Sequence, residues 1–367
     1  MAKHRITIDL LHLHSDLSSI GTFQLNFATS LFSQGDEFQF DALIPTGYYH
    51  ESLRYPNVVL HRLSASNALF TAHAIAKYIA RQAPSCHIAT FNLAPKLPKS
   101  VPLILQNHDF SHGQWDLTHS LNPLGRHYHR WHVRSIRRAA LLLSNSTFTR
   151  QQTERYSFRH VPSFTIYHDC APEFKTPAAS PALLADVVPP LPGPYLVCAG
   201  RVRPPYKQVS VLLRAFRDLN LRFPVLKLVL VHSDSLSSAD ARFIRHNQLP
   251  VEDFWRAPRR TLLTLYRHAE MAVYPSRYEG FGAPILEAQN TGCPLIVNEF
   301  EPMREVAGNG AAYFSNSTES LVDVIEGLLD DPGRRGRLRE LGYANAARFS
   351  WQTTGAQTLN AIRRTLL

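Results

Sequence analysis

The chain has 367 residues, 44% of them hydrophobic, and a net charge of +10 from 39 basic and 29 acidic side chains. That length exceeds one ordinary hydrophobic core and implies two domains of roughly 200 residues or fewer, while no apolar run reaches the ~18 residues a membrane-spanning helix needs. The positive balance admits nucleic acid, an anionic membrane face or an anionic substrate as partner; no aromatic RNA-binding run and no Cys/His finger occurs, which sets nucleic acid aside.

The opening MAKHRITIDLLHLHSD is basic and then apolar, but Asp9, His12 and His14 break it, so it reads as a first strand over residues 5–13 rather than a signal peptide. A loop over 14–21 leads into a helix over 22–34, where Phe23, Phe27 and Leu31 keep helical spacing and Gly35 stops it. Strands are predicted at 39–44, 58–60 and 87–91, with a helix at 70–81. The strand at 101–106 runs into Asn107-His108-Asp109. A His-Asp pair at the carboxyl end of a parallel strand lies where α/β sheets place ligand chemistry.

A helix over 126–142 carries Arg126, Arg130, Arg134, Arg137 and Arg138 within about a third of its circumference. Tyr128, Trp131, Ile136 and Ala139 lie mostly opposite. This is either a solvated basic face or a docking surface for anionic lipid headgroups, with Trp131 at the interface. Strands follow at 140–143 and 164–167, and Asp169 in His168-Asp169-Cys170 suits an Asx-turn. Residues 175–194 hold six prolines and little charge, the composition of a semi-rigid linker. The boundary placed inside it gives domains at 1–180 and 181–349, with a final helix in 350–367. Cys86, Cys170, Cys198 and Cys293 have no metal-ligand spacing and read as buried free thiols of a reducing cytoplasm.

The second half opens with a strand at 195–199, then Gly200-Arg201, Lys207 and a helix at 209–221; a strand at 226–231 precedes His232-Ser233-Asp234-Ser235. Residues 271–274 form a short apolar strand, followed by Gly280 and Gly282, a helix containing Pro284, Ile285, Leu286 and Ala288, a stop at Gly292 and a strand at 293–297. Strand, Gly-rich turn, helix and strand make a parallel βαβ unit. The two glycines let the backbone approach a ligand. The amides of Phe281, Gly282 and Ala283 lie at a helix N-terminus, where unpaired N–H groups and the dipole favour an anion. Glu279 before the cradle and Glu287 in the first helical turn flank it, so a ligand over the helix mouth would meet both. The same residues also suit a capped surface helix with solvated glutamates. Two further helices fill 318–349.

Tyr278, Glu279, Gly280, Phe281, Gly282, Pro284, Leu286, Glu287 and Ala288, continued by Gly292, Pro294 and Glu305-Val306 before Gly308, resemble the E-x7-E signature of retaining nucleotide-sugar glycosyltransferases of family four, which have the GT-B fold. The resemblance implies an α/β protein of two Rossmann-like domains facing each other across a cleft, with the closing helix crossing back to the first. Asn107-His108-Asp109 matches the family's His-Asp element and implies that His108 contacts the donor sugar, with Asp109 orienting it. Gly200-Arg201 and Lys207 match a Gly-Arg…Lys element whose cations face the donor diphosphate, with Arg203 as a further helper. Ser18 to Gly21 stand in the loop that brings donor and acceptor close, with only Gly21 left of the usual glycine pair. Trp255-Arg256-Ala257-Pro258 stand where relatives hold the nucleobase, and Glu287 would anchor the ribose. His168 to Cys170 replace an Asn-Gly-Val, and His232 to Ser235 replace a Gly-x-Gly, so those loops depart from the pattern.

The implied activity is retaining, metal-independent transfer of a sugar to a glycan or lipid-linked hydroxyl in surface-polysaccharide (lipopolysaccharide) biosynthesis, by His108, Glu279, Arg201 and Lys207, with no cofactor beyond the donor substrate. GDP-mannose is the first expectation for the donor, from similarity of residues 107–150 to bacterial surface-polysaccharide mannosyltransferases. A UDP-sugar transferase, another GT-B enzyme such as an epimerase or a phosphorylase, and a non-catalytic protein binding an anionic polymer or membrane are the rivals; no context for a phosphorylase's pyridoxal lysine is present. The expected location is the cytoplasm, peripherally on the inner face of the membrane.

Overall fold

Short, wholly apolar runs such as Met271–Tyr274 suit strands covered on both faces. The computed structural model, which describes residues 3–13, 19–64, 68–110, 123–157, 160–175 and 191–366, places such runs in two all-parallel sheets. The chain divides into one unit of Met1–His168 with Ser350–Leu367 and a second of Asp169–Phe349.

In the first unit β1 (His4–Asp9), β2 (Phe38–Pro45), β3 (Val58–Leu63), β4 (Cys86–Ala89), β5 (Leu103–Asn107), β6 (Leu141–Ser144) and β7 (Ser163–Thr165) lie in the order β3-β2-β1-β4-β5-β6-β7. In the second, β8 (Tyr195–Gly200), β9 (Lys227–His232), β10 (Val251–Trp255), β11 (Met271–Tyr274), β12 (Leu295–Asn298) and β13 (Ala312–Phe314) lie in the order β10-β9-β8-β11-β12-β13. Each sheet therefore reverses its winding once, between β1 and β4 and between β8 and β11. Such switch points open a crevice at the carboxyl ends of the strands, where open α/β sheets take ligands.

The first unit's helices are α1 (Ser19–Phe32), α2 (Ala68–Gln82), α3 (Pro123–Arg138) and α4 (Thr147–Glu154), closed by α12 (Trp351–Leu366). The second unit has α5 (Val209–Arg222), α6 (Ser238–His246), α7 (Arg259–His268), α8 (Ala283–Asn290), α9 (Met303–Ala307), α10 (Thr318–Leu329) and α11 (Pro332–Ala346). Phe27 and Leu31 of α1 share one core with Leu359 and Ile362 of α12. The two helices approach closely at Gly355, where a Cβ would stand 2.5 Å from the Ser30 carbonyl oxygen.

Several boundaries differ from expectation. α1 starts at Ser19, so Gly21 lies in its first turn rather than in a loop; residues 14–18 fall outside the described set. α3 ends at Arg138, not at 142, because the Ala140 amide already bonds the Leu103 carbonyl at 2.8 Å and starts the chain into β6. β10, β13, α6, α7 and α9 have no counterpart among the expected elements. The units divide after His168, before the expected boundary at 180. The cause is local: the buried Asp169 carboxylate pairs with Lys175 at 2.5 Å, and Lys175 also donates to the Phe349 carbonyl at 2.7 Å. Asp169 takes the amide of Cys170, one residue on, at 2.8 Å, and this is not the bond of an Asx-turn. Most of the proline-rich stretch, residues 176–190, lies outside the described residues. All four cysteines are buried and none is in a disulfide among the described residues.

All five arginines of α3 are exposed, while His132, Val133, Ser135 and Ile136 are buried beneath them. Trp131 does not serve as an interface anchor. It is half-buried and donates its indole N–H to the Ala94 carbonyl at 2.8 Å. Arg138 turns onto the same loop, donating to the carbonyls of Pro95 and Leu97 at 3.2 and 2.8 Å.

Candidate active site

In the second unit the chemistry gathers at the switch point. β8 ends at Gly200, whose φ of +133° favours a residue without Cβ. The exposed Arg201 follows, its Nε donating to Asp234 Oδ2 at 3.1 Å. A single 3₁₀ turn, Pro205–Lys207, with Gln208 left-handed at φ +52°, then turns Lys207 inward to 12% side-chain exposure. Burying an ammonium requires a compensating charge, and Glu279 Oε1 supplies it in a very short contact. The same oxygen accepts from the Tyr274 and Ser276 hydroxyls, each at 2.7 Å. Tyr274 OH also accepts from Lys207 Nζ at 3.4 Å. Glu279 Oε2 has no hydrogen-bond partner among the described residues. Lys207 and Glu279 therefore form one node, and the second carboxylate oxygen remains open.

The anion cradle lies against this node. Gly282 caps α8 at φ +86°, and a Cβ there would meet Tyr274 at 3.5 Å and Ile285 at 3.1 Å. The Gly282 and Ala283 amides donate to no group among the described residues, while the Gly282 carbonyl accepts from Ile285. Pro284 is the second helical residue, not the first. Phe281 acts as an anchor, its buried ring meeting Phe349 at 5.9 Å.

Glu287 is the fifth residue of α8 and so lies in its second turn, deeper than expected. Its surroundings are Tyr266, Arg259 and Glu173, not Lys207. Although the residue keeps some exposure, burial pushes its carboxyl up to about 7, with Arg259 opposing and Glu173 adding to the rise. Arg256 sits at φ +48°, just past β10; its guanidinium stacks 5.3 Å from the ring centre of Trp255, which is 52% exposed.

In the first unit His108 follows β5 and is buried. Its Nε2 faces the Thr90 carbonyl at 2.9 Å, its amide donates to Asn92 Oδ1 at 2.8 Å, and Phe23 meets the ring edge-on at 4.5 Å. Burial pushes its pKa down to about 4 against the opposing pull of the Thr90 carbonyl and Asp109. The ring is therefore neutral near pH 7, with the proton on Nε2 and Nδ1 left as a hydrogen-bond acceptor. Thr90 and Asn92 orient it, and the Asp109 charge also acts on the ring. Thr90 is itself pinned by Asp9, which takes its amide at 3.1 Å and its hydroxyl at 2.8 Å, and by Gln24 at 2.6 Å. Gly21 is placed by the first turn of α1.

Sequence reasoning missed Tyr274, Ser276, Asp234, Thr90 and Asn92. The first, second and fourth each end or follow a central strand, and that position was the available signal. His168, in a loop that departs from the family pattern, is buried, stacked on Phe23 at 4.3 Å and bonded to Gln106 at 3.1 Å.

Two Rossmann-like units, each with polar and charged groups at its switch point, define the GT-B class of glycosyltransferase folds. A solved sucrose-phosphate synthase from Thermosynechococcus elongatus superposes with a TM-score of 0.77 at 15% identity, covering 99% of both chains. The Anabaena Alr3699/HepE structure in complex with UDP and glucose gives 0.72 at 15% identity, covering 98% of this chain and all of that one. Residues 184–345, within the second unit, match the family model of the glycosyl transferases group 1. The O-antigen chain mannosyltransferase B of Escherichia coli is 37% identical over 108 residues, which are 29% of this chain and 28% of that protein. The chain thus spans well under half the length of that curated relative.

The raised Glu287 carboxyl has a measurable consequence. The folded state keeps a proton that the unfolded state releases between pH 4.5 and about 7, so this residue's contribution to stability falls as pH rises through that window. Glu287→Gln removes the fall. Thermal melts should show the variant gaining on wild type from pH 5 to about 8, by on the order of 1–2 kcal/mol after solvent screening. A difference independent of pH would contradict the assignment.

Proposed function

We propose that the chain transfers a sugar from a nucleotide diphosphate sugar to a hydroxyl with retention of anomeric configuration. The observation that carries this reading is the Lys207–Glu279–Tyr274 node set against the open amides of Gly282 and Ala283. A cation and a helix mouth side by side suit a diphosphate leaving group, and a free carboxylate oxygen beside them suits a sugar hydroxyl. Lys207 and Arg201 stabilise the charge that develops on the departing diphosphate, and the two amides add fixed dipoles. These groups neutralise the diphosphate without a divalent ion. His108 offers Nδ1 to a sugar hydroxyl. Glu287, with its carboxyl near half-protonation at neutral pH, accepts from or donates to the ribose.

Glu279 is a poor candidate for a nucleophile, since Oε1 already accepts three donors. Front-face attack by the acceptor hydroxyl, on the side the diphosphate leaves, is therefore favoured over a glycosyl-enzyme intermediate. The O-antigen chain mannosyltransferase relative supports a mannosyl donor, for which GDP-mannose is our first choice, and a surface glycan as acceptor. The structural neighbour solved with UDP and glucose supports the rival UDP-sugar reading. Turnover assays with GDP-mannose and UDP-glucose distinguish them. Arg256 stacked on Trp255 is the group assigned to the nucleobase. We further place the protein in the cytoplasm, held to an anionic membrane face by α3.

Lys207→Ala should lower turnover about a hundred- to thousandfold, equivalent to about 2.7–4 kcal/mol of barrier. Stability should suffer far less, because Tyr274 and Ser276 still satisfy Glu279. The check is steady-state kinetics beside a thermal melt; normal kinetics in a folded variant would refute a diphosphate role.

The membrane assignment rests on Arg130 and Arg134, which are exposed and have no hydrogen-bond or ion-pair partner among the described residues. Each basic side chain near an anionic surface contributes about 1 kcal/mol, fading within a Debye length. Wild type should co-sediment with phosphatidylserine-containing liposomes at low salt and be released at high salt, and Arg130→Glu/Arg134→Glu should not bind. Equal sedimentation of the two proteins, or none by either, would exclude this face.

A further inference from the structure

Arg201 is a long side chain that is 60% exposed. An exposed arginine ordinarily samples many rotamers, and a diphosphate that binds it must first fix one. Here one rotamer is already selected. Asp234, in the loop after β9, holds Nε with Oδ2 at 3.1 Å, while Oδ1 accepts the amides of Val202 at 2.7 Å and Arg203 at 3.4 Å. The carboxylate thus grips both the side chain and the backbone turn that presents it. Nε is the inner donor of the guanidinium; anchoring it leaves the Nη1 and Nη2 groups, without partners among the described residues, as a fork for two oxygens.

Asp234 is mounted as firmly as it mounts Arg201. His232, buried at the end of β9, bonds the Asp234 carbonyl through Nδ1 at 2.8 Å, and the Asp253 carboxylate of β10 holds its Nε2 in a very short contact. Trp255 closes the edge of the imidazole at 5.6 Å between centroids. Two strands therefore fix the loop that replaces the expected Gly-x-Gly.

We propose that Asp234 is a positioning residue that aims Arg201 at the diphosphate of the donor. This rests on the donor reading above and names a group that the reading did not use. The competing effect is repulsion between the carboxylate and the diphosphate. Positioning prevails because two amides and one guanidinium already share the Asp234 charge before any ligand arrives.

The experiment is calorimetric titration of GDP and UDP into the full chain for wild type, Asp234→Asn, Arg201→Ala and the double variant. In Asp234→Asn, affinity for the bound nucleotide should fall about five- to tenfold, and on the Arg201→Ala background the same change should cost nothing further. Asp234→Glu, which keeps a carboxylate, should recover part of the loss. Equal losses in both backgrounds would mean that Asp234 only supports the fold, and tighter binding by Asp234→Asn would mean that it competes with phosphate; either overturns the proposal. So does unchanged affinity in Asp234→Asn while wild type binds. A wild type that binds neither nucleotide overturns the donor reading, and this proposal with it.

Discussion

A lysine held at 12% side-chain exposure meets its counter-charge in the turn between β11 and α8. Its ammonium needs a carboxylate at contact distance, and that carboxylate must come from a segment that can reach the carboxyl end of β11. Glu279 does so only because the chain leaves β11 through Pro275 and Ser276 and returns to Tyr274 within five residues. The turn that brings Glu279 back then needs Gly282 in the left-handed region to start α8 against the Tyr274 ring. Lys207, Tyr274 and Ser276 thus converge on one oxygen of Glu279, and Gly282 starts α8 beside them.

The first unit solves a different problem, how to keep a histidine neutral and fixed. His108 is surrounded by Phe23, Phe91 and His168, and that enclosure removes its charge near neutral pH. What remains is choice of tautomer, and the Thr90 carbonyl makes it. The choice is transmitted from β1 through Asp9 to Thr90, across the two strands that flank the switch point. A polar network buried between strands rigidifies this corner, and through the Thr90 carbonyl it fixes which ring nitrogen carries the proton.

Much of this could be read from the residues alone. Met271–Tyr274 is the strand predicted from its apolar run, and the Gly282-to-Pro284 turn opens a helix as its chemistry requires. The charged face of α3 followed from helical spacing, yet spacing does not show that Trp131 is committed to Ala94 and Arg138 to Pro95 and Leu97. Those partners lie about forty residues away in sequence, beyond any local pattern. Glu287 was placed a turn too early because a helix start is uncertain by one or two residues, enough to move a side chain to another face. Asp234 and Thr90 carry no signature of their own; their roles come from parallel pairing of β8 with β9 and of β1 with β4, which a single sequence does not state.

Fold alone does not establish chemistry, and the chemistry proposed here has a direct test. The full chain is incubated with GDP-mannose or UDP-glucose and a lipid-linked glycan acceptor in excess EDTA. Free nucleoside diphosphate is quantified, and the anomeric configuration of the product is read by NMR. The account predicts release matched to transfer, undiminished by the chelator, with the donor's configuration kept in the product. Loss of activity in EDTA that Mg²⁺ or Mn²⁺ restores, or a product of inverted configuration, would contradict it.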